Sequence, residues 1–315
     1  MKKTLIALAA VASLATSGAA FAQATISGGV GFASIKNFAG TSQGLLNTGA
    51  WLDVAASEDL GGGMKVSAFM ELNMDSSRAA AGSAYSGDRN MTLSTPSFSL
   101  TLANTRSGGA QAAALIAPVN LWDGYWGAGG VITRANVDAA VLTVPMGGGL
   151  TVQGKYVESG PDYAASAGTT TMVLAAMYAA GPLKVAAGVN QSAFTPATAA
   201  TLAAAGVTSP RTVSTDLSVI YDAGVAKVGL GYDSARRGRQ DGTDDAAILA
   251  GITVPAGAAS FGLNYGKRGN GSFNQVGAQY DLSKRTNVNL SFGNADTGAA
   301  NGQTNEYSLS LNHYF

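Results

Sequence analysis

The feature that most constrains this chain is a two-residue alternation that recurs in short segments along its length. It is plainest in Thr304 to Phe315, which reads TNEYSLSLNHYF. Tyr307, Leu309, Leu311, His313 and Phe315 fall on one face, and Glu306, Ser308, Ser310, Asn312 and Tyr314 on the other. A period of two with one apolar and one mostly polar face defines a strand. An aromatic final residue on the apolar face gives a soluble domain no obvious advantage. It suits a transmembrane β-barrel, whose last strand closes on its first so that no unpaired edge is left in lipid.

The other end of the sequence sets the compartment. Residues 1–22 begin with Lys2 and Lys3, continue with an apolar run from Leu5 to Leu14, and finish on Ala20-Phe21-Ala22. A charged start, a short apolar middle and a small-x-small site form a secretory signal peptide. The alternative is a membrane anchor, but the run is too short to span a bilayer. The expected division is therefore residues 1–22 as signal peptide and 23–315 as the barrel. A mature chain starting near Gln23 loses two lysines and no acids, so its formal balance moves from zero to slightly acidic.

Composition removes other classes. The chain has no Cys, one His, 42 Gly and 12% charged residues. Without Cys there is no disulfide scaffold, thiolate metal site or thiol nucleophile. No apolar run after the first reaches the roughly 18 residues of a helical span. Helical periodicity is nearly absent, which disfavours a two-domain α/β enzyme. The near-neutral charge gives no reason to expect nucleic acid as a partner.

Alternating segments of about ten residues follow one another from Ala24 onward, the length a tilted strand needs to cross a bilayer. Early ones are Ala24–Ile35, Gly49–Glu58 and Met64–Leu72, then Asp88–Thr95 and Phe98–Ala103. After a long connection from Asn104 to Ala135, short turns such as Met146-Gly147-Gly148-Gly149 and Pro255-Ala256-Gly257 alternate with longer polar loops. The count comes to about sixteen, an even number as a single-chain bacterial barrel requires. If the short turns share one end, the apolar-face aromatics sort into two belts. Phe98, Tyr178, Tyr221, Phe261, Tyr280 and Phe315 lie near the turns, and Phe32, Tyr156, Tyr232, Tyr265, Phe292 and Tyr307 near the loops. Bilayer interfaces favour such girdles. A soluble sandwich or β-helix also alternates but has no reason to place aromatics at both strand ends. The opposite face carries Ser67, Thr151, Gln153, Ser218, Asn264, Gln275 and Asn289, which cannot pack dry and predict a water-filled lumen.

On these residues the chain resembles the general porins of Gram-negative bacteria, of the β-proteobacterial type. The most specific pieces are YDLSKRT at Tyr280 to Thr286 and HYF at His313 to Phe315, with RAN at Arg134 to Asn136 a weaker one. The resemblance covers the whole chain. It implies a homotrimeric outer-membrane channel of sixteen strands with a pore-constricting third loop, passing small hydrophilic solutes and inorganic ions. It also implies that the loop Asn73 to Gly87 latches onto a neighbouring subunit and that Phe315 is the assembly signal. The chain departs from the family at Asn104, where such porins often carry arginine, and in the short strand from Asp88 to Thr95.

Within the long loop, Ala110 to Ala117 has the composition of a short helix ending before Pro118. Leu121, Trp122, Tyr125 and Trp126 make the rest too apolar for bulk water, so packing inside the barrel is expected, an oligomer contact being the alternative. Strand parity puts Lys65, Lys155, Lys184 and Lys227 on the lumen side against Asp53, Glu71, Asp216 and Glu306. Arg89, Arg106 and Arg134 lie near the ends of the long loop, which carries the single acid Asp123. Arg89 shares the parity of outward Met91 and Leu93, and reaches the lumen only if its strand bulges or has ended. The expected pore constriction is thus Arg89, Arg106, Asp123, Arg134 and Lys155, with a mild preference for anions. Gly266-Lys267 lacks the other residues of a phosphate loop. Asp241, Asp244 and Asp245 could bind calcium but read better as a solvated loop. No catalytic set, cofactor motif or metal site is expected, since the one His lies on the lipid face. The alternatives are a substrate-specific channel, a plugged structural barrel and, least supported, a barrel enzyme.

Overall fold

The computed structural model describes residues 23–36, 42–73, 87–107, 110–118, 135–159, 168–204, 212–234, 246–296 and 303–315. They form sixteen antiparallel strands closed into one barrel. In order these are β1 (Gln23–Lys36), β2 (Ser42–Gly61), β3 (Met64–Asn73), β4 (Arg89–Ser94), β5 (Ser99–Ser107), β6 (Ala135–Gly147), β7 (Leu150–Ser159) and β8 (Thr169–Ala180). They continue as β9 (Leu183–Phe194), β10 (Val213–Asp222), β11 (Lys227–Asp233), β12 (Ala247–Ala256), β13 (Ala259–Arg268), β14 (Gly271–Ser283), β15 (Thr286–Asp296) and β16 (Gln303–Tyr314). Each pairs with its sequence neighbours, and β1 pairs with β16 from Gly29↔Tyr314 to Lys36↔Tyr307. Closure leaves no edge strand, the condition for a sheet in lipid. No helix among the described residues is long and apolar enough to cross a membrane, which says nothing of strands.

The alternation read from sequence runs around most of the barrel. Leu174, Leu230, Leu263, Leu290 and Leu309 point outward and are exposed, whereas Ser214, Asp216, Ser218, Gln275, Ser291 and Ser310 point inward and are buried. All twelve aromatics of the two expected belts are exposed on the outer surface, from Phe98 at 38% to Tyr280 at 54%. A soluble fold would bury them; at bilayer interfaces their exposure is favourable. The short turns use backbone shapes suited to glycine. Gly147, Gly148 and Gly149 join β6 to β7 with φ of 84°, 59° and 84°, a left-handed run that a Cβ would strain.

Three strand or helix expectations need correction. β2 starts at Ser42 rather than Gly49, so Ser42 to Thr48 are strand as well. β5 continues to Ser107, four residues past Ala103. The expected helix Ala110–Ala117 is a single 3₁₀ stretch, Ala110–Ala114, which the chain leaves before Pro118. A further α-helix, α1 (Pro196–Ala204), stands in the loop between β9 and β10. Thr195 caps it, its hydroxyl accepting from Thr198 N at 3.3 Å, and Pro196 occupies the first helical position, where its missing N–H costs nothing.

Candidate functional site

The inner face is polar, and its side chains are tied across strands. Asn312 Nδ2 donates to Asn287 Oδ1 at 3.0 Å, Asn190 Nδ2 to Asp216 Oδ2 at 2.8 Å, and Gln153 Nε2 to Thr143 Oγ1 at 3.1 Å. The Thr92–Thr101 and Thr171–Ser192 hydroxyl pairs are 2.8 and 3.0 Å apart. Gln275 and Asn264 oppose each other on β14 and β13, fully buried from bulk solvent. Such a lining holds a solvated passage, since an apolar filling would strand its polar atoms.

One sector of this wall carries something else. Residues 110–118, between β5 and β6, lie inside the barrel against β9 to β12 and reach β13. Ala114 is fully buried, packed in one cluster with inward-facing Ala247, Leu249, Phe273 and Ala295. Ala117 N donates to Asn264 Oδ1 at 3.1 Å, and Thr253 Oγ1 donates to Ile116 O at 2.6 Å. The start of the long loop therefore occupies the inner wall; Leu121, Trp122, Tyr125 and Trp126, on which the expectation of packing inside the barrel rests, lie outside the described residues.

The charges divide by face. Lys155 sits on the inner face of β7, opposite Val141 and Val173, within electrostatic reach of Asp216. Lys227 pairs with Asp222 at 3.3 Å at the turn end. Arg268, on the inner parity of β13 beside Gly266 and Asn264, forms a mostly buried ion pair with Asp233 of β11. This pair was not foreseen from sequence, although both residues continue the inward parity of their strands.

Arg89 is a correction. The β3–β4 and β4–β5 registers run without a bulge, leaving Arg89 on the outer parity with Met91. It heads a cross-strand row of Arg89, Asn104, Asp138 and Glu158 on β4 to β7. Asn104 Nδ2 donates to Asp138 Oδ1 at 2.7 Å, and Tyr156 OH to Glu158 Oε1 at 2.6 Å. With Leu102 and Ala140 these residues line an open cavity of about 480 Å³ on the outside of the barrel. Asn104 thus belongs to the outer surface, not to the pore wall. The backbone of Arg106 continues the parity of Leu102 and Asn104, opposite Asn136. Asp123 and Arg134 lie outside the described residues, as do residues 1–22, the loop 74–86 and the Asp241–Asp245 loop. Among the described residues no group of three or more His, Cys, Asp or Glu is placed to hold a metal ion.

A closed sixteen-stranded barrel with an apolar, aromatic-belted exterior and a polar interior defines an outer-membrane diffusion channel. The sequence profile of the Gram-negative porins matches residues 7–300, and the chain belongs to that family. It is a multi-pass protein of the Gram-negative outer membrane. Solved structures share the fold. An anion-selective porin from Comamonas acidovorans superposes with a TM-score of 0.68 at 20% identity, over 94% of this chain and 100% of the other. A loop L8 deletion mutant of OmpT, an outer membrane protein of Vibrio cholerae, gives 0.67 at 14% identity, over 93% and 99%. A mutant porin of Rh. blastica gives 0.65 at 11% identity, over 93% and 100%. No curated protein sequence matches the chain.

Proposed function

We propose that this porin works as a homotrimer, each subunit passing small hydrophilic solutes and inorganic ions by passive diffusion through a lumen narrowed by its third loop. The observation that carries the reading is the seating of residues 110–118 on the inner wall of β9 to β13. The loop starts at the loop-side end of β5 and returns into β6, so a segment held across the barrel at β11 and β12 reduces the open section. The charges that act at that narrowing are Arg134 and Asp123 of the loop and Lys155 of the wall. With Arg89 on the outer face, the preference for anions is weak and rests on Arg134 and Lys155. Residues 1–22 act as the export signal, removed after Ala22. No catalytic activity is assigned, because the reading uses no nucleophile or base.

Planar-bilayer recording of purified protein tests the channel, and native mass measurement in mild detergent tests the assembly. Discrete ohmic steps and a mass of three subunits are expected. Absence of conductance would overturn the channel, and a monomer as sole species would overturn the trimer.

A further inference from the structure

Three glycines on adjacent strands face the inner loop segment: Gly229 of β11, Gly251 of β12 and Gly262 of β13. None is at a turn, and none has a positive φ. A glycine inside a strand weakens it, so it commonly marks the close approach of another backbone. Here that approach is measurable. A Cβ on Gly229 would lie 2.4 Å from the Ala114 carbonyl oxygen. A Cβ on Gly251 would lie 2.3 Å from the same oxygen and 2.8 Å from Ile116 N, and one on Gly262 would lie 2.7 Å from Ala117 Cβ and 2.4 Å from the Ile252 carbonyl oxygen of the neighbouring strand. A side chain at Gly229 or Gly251 would push the loop backbone away from the wall, and one at Gly262 would press on both the loop and β12.

We infer that Gly229, Gly251 and Gly262 form a slot that seats the loop backbone and thereby fixes how far the loop projects into the lumen. The inference rests on the proposed constriction and names the residues that position it. Two side-chain bonds, from Ala117 N to Asn264 Oδ1 and from Thr253 Oγ1 to Ile116 O, give the slot its register, and the apolar cluster around Ala114 packs beside it. The segment is bound through its main chain and small residues, so the wall glycines decide its depth. Solute passage is then displaced from the wall at β11 to β13, where the loop backbone sits.

The absence of Cys makes a crosslinking test unambiguous. Replacing Ala117 and Gly262 by cysteine places two Cβ atoms nearer than a disulfide requires, a strain that a small outward shift relieves. In folded, heat-modifiable barrel the pair should oxidise readily. Adding Gly251→Val should slow that oxidation, and in the cysteine-free protein Gly251→Val should raise single-channel conductance and broaden its distribution. Gly154→Val, an outward position with no atom within 4 Å of its would-be Cβ, should leave conductance unaltered. If the valine barrel does not assemble, Gly229→Ala takes its place, since one methyl there already meets the Ala114 carbonyl. Failure to crosslink in folded, conducting barrel would overturn the slot and leave the channel standing. So would oxidation that is equally fast with Gly251→Val. Crosslinking in a barrel that never conducts would overturn the channel and leave the slot standing.

Discussion

Gly28 and Phe315 exchange both of their backbone hydrogen bonds. Gly28 N donates to Phe315 O at 3.1 Å, and Phe315 N donates to Gly28 O at 3.0 Å. This is the last rung of the β1–β16 seam, one residue beyond Gly29↔Tyr314. The Phe315 ring lies over Gly28, where a Cβ would meet its Cζ at 2.9 Å and the Trp51 carbonyl oxygen at 2.4 Å. Glycine at 28 thus lets the aromatic cover the seam on the lipid side.

Both partners of this rung should matter to assembly, and for different reasons. Gly28→Val forces the ring and the β2 backbone apart, while Phe315→Ala keeps the backbone bonds and removes the cover. Each bond contributes about 0.5–1.5 kcal/mol in water and more where lipid offers no substitute partner. The fraction of heat-modifiable barrel in the outer membrane should fall in both variants, further in Gly28→Val. Wild-type levels in both would refute a sealing role.

The Asp233–Arg268 pair predicts a coupled stability effect. The two side chains are 13% and 6% exposed, so removing one leaves a charge largely out of water. Asp233→Asn alone should destabilise the barrel by about 3 kcal/mol, the low end for a buried pair because a solvated lumen lies close by. Arg268→Met alone should cost a similar amount. The double variant should cost clearly less than the sum. Thermal unfolding in detergent, followed by circular dichroism, measures all three, and strict additivity would show that the pair contributes nothing beyond its separate members.

The cap on α1 predicts a local effect only. Thr195→Ala removes the hydroxyl that Thr198 N and Gly168 N use, and should cost about 1 kcal/mol of local stability. Hydrogen exchange over 196–204 should quicken roughly fivefold, that free energy converted at room temperature, while the barrel amides keep their protection. Faster exchange throughout the barrel would contradict a purely local role.

What the sequence made legible follows from the bilayer. Apolar residues must face out and polar ones in, so strand number, closure and both aromatic belts could be read from a period of two. The same rule misleads where strands outrun the hydrocarbon. Asn104, Asp138 and Glu158 are polar yet outward, because β5 to β7 continue past the apolar band and their outer faces there need not be apolar. Arg89 reaches the constriction only if its strand bulges or has ended, and the unbroken β3–β4 and β4–β5 registers remove that condition. The early end assigned to β5 arose from the same rule, since Asn104 to Ser107 looks like a loop once outward apolarity is demanded. The Asp233–Arg268 pair escapes a strand-by-strand reading because its members lie on β11 and β13, on either side of Ala247, although Asn264, Gly266 and Arg268 share one parity. The helix α1 did carry a sequence signal, Thr195-Pro196 followed by alanines, but a search tuned to alternation does not register it.

Charge selectivity gives the sharpest test, because the corrected position of Arg89 separates it from the other cations of the expected constriction. Arg89 faces outward and stands outside the field of the lumen, whereas Lys155 faces inward and Arg134 is proposed at the constriction. In a potassium chloride gradient the unsubstituted channel should show a reversal potential mildly on the anion side. Arg134→Gln and Lys155→Gln each remove a cation and should shift it toward cations, and Asp123→Asn should shift it the other way. Arg89→Gln should not move it. The shifts should be largest at about 0.1 M salt, where the Debye length is about 10 Å, and should fade toward 1 M, where it is about 3 Å. A response to Arg89→Gln as large as that to Lys155→Gln would show that the outer residue communicates with the pore. A cation-preferring channel that ignores Arg134→Gln and Asp123→Asn would remove the loop from the selectivity mechanism and leave the wall carboxylates Asp53, Glu71 and Asp216 to determine it.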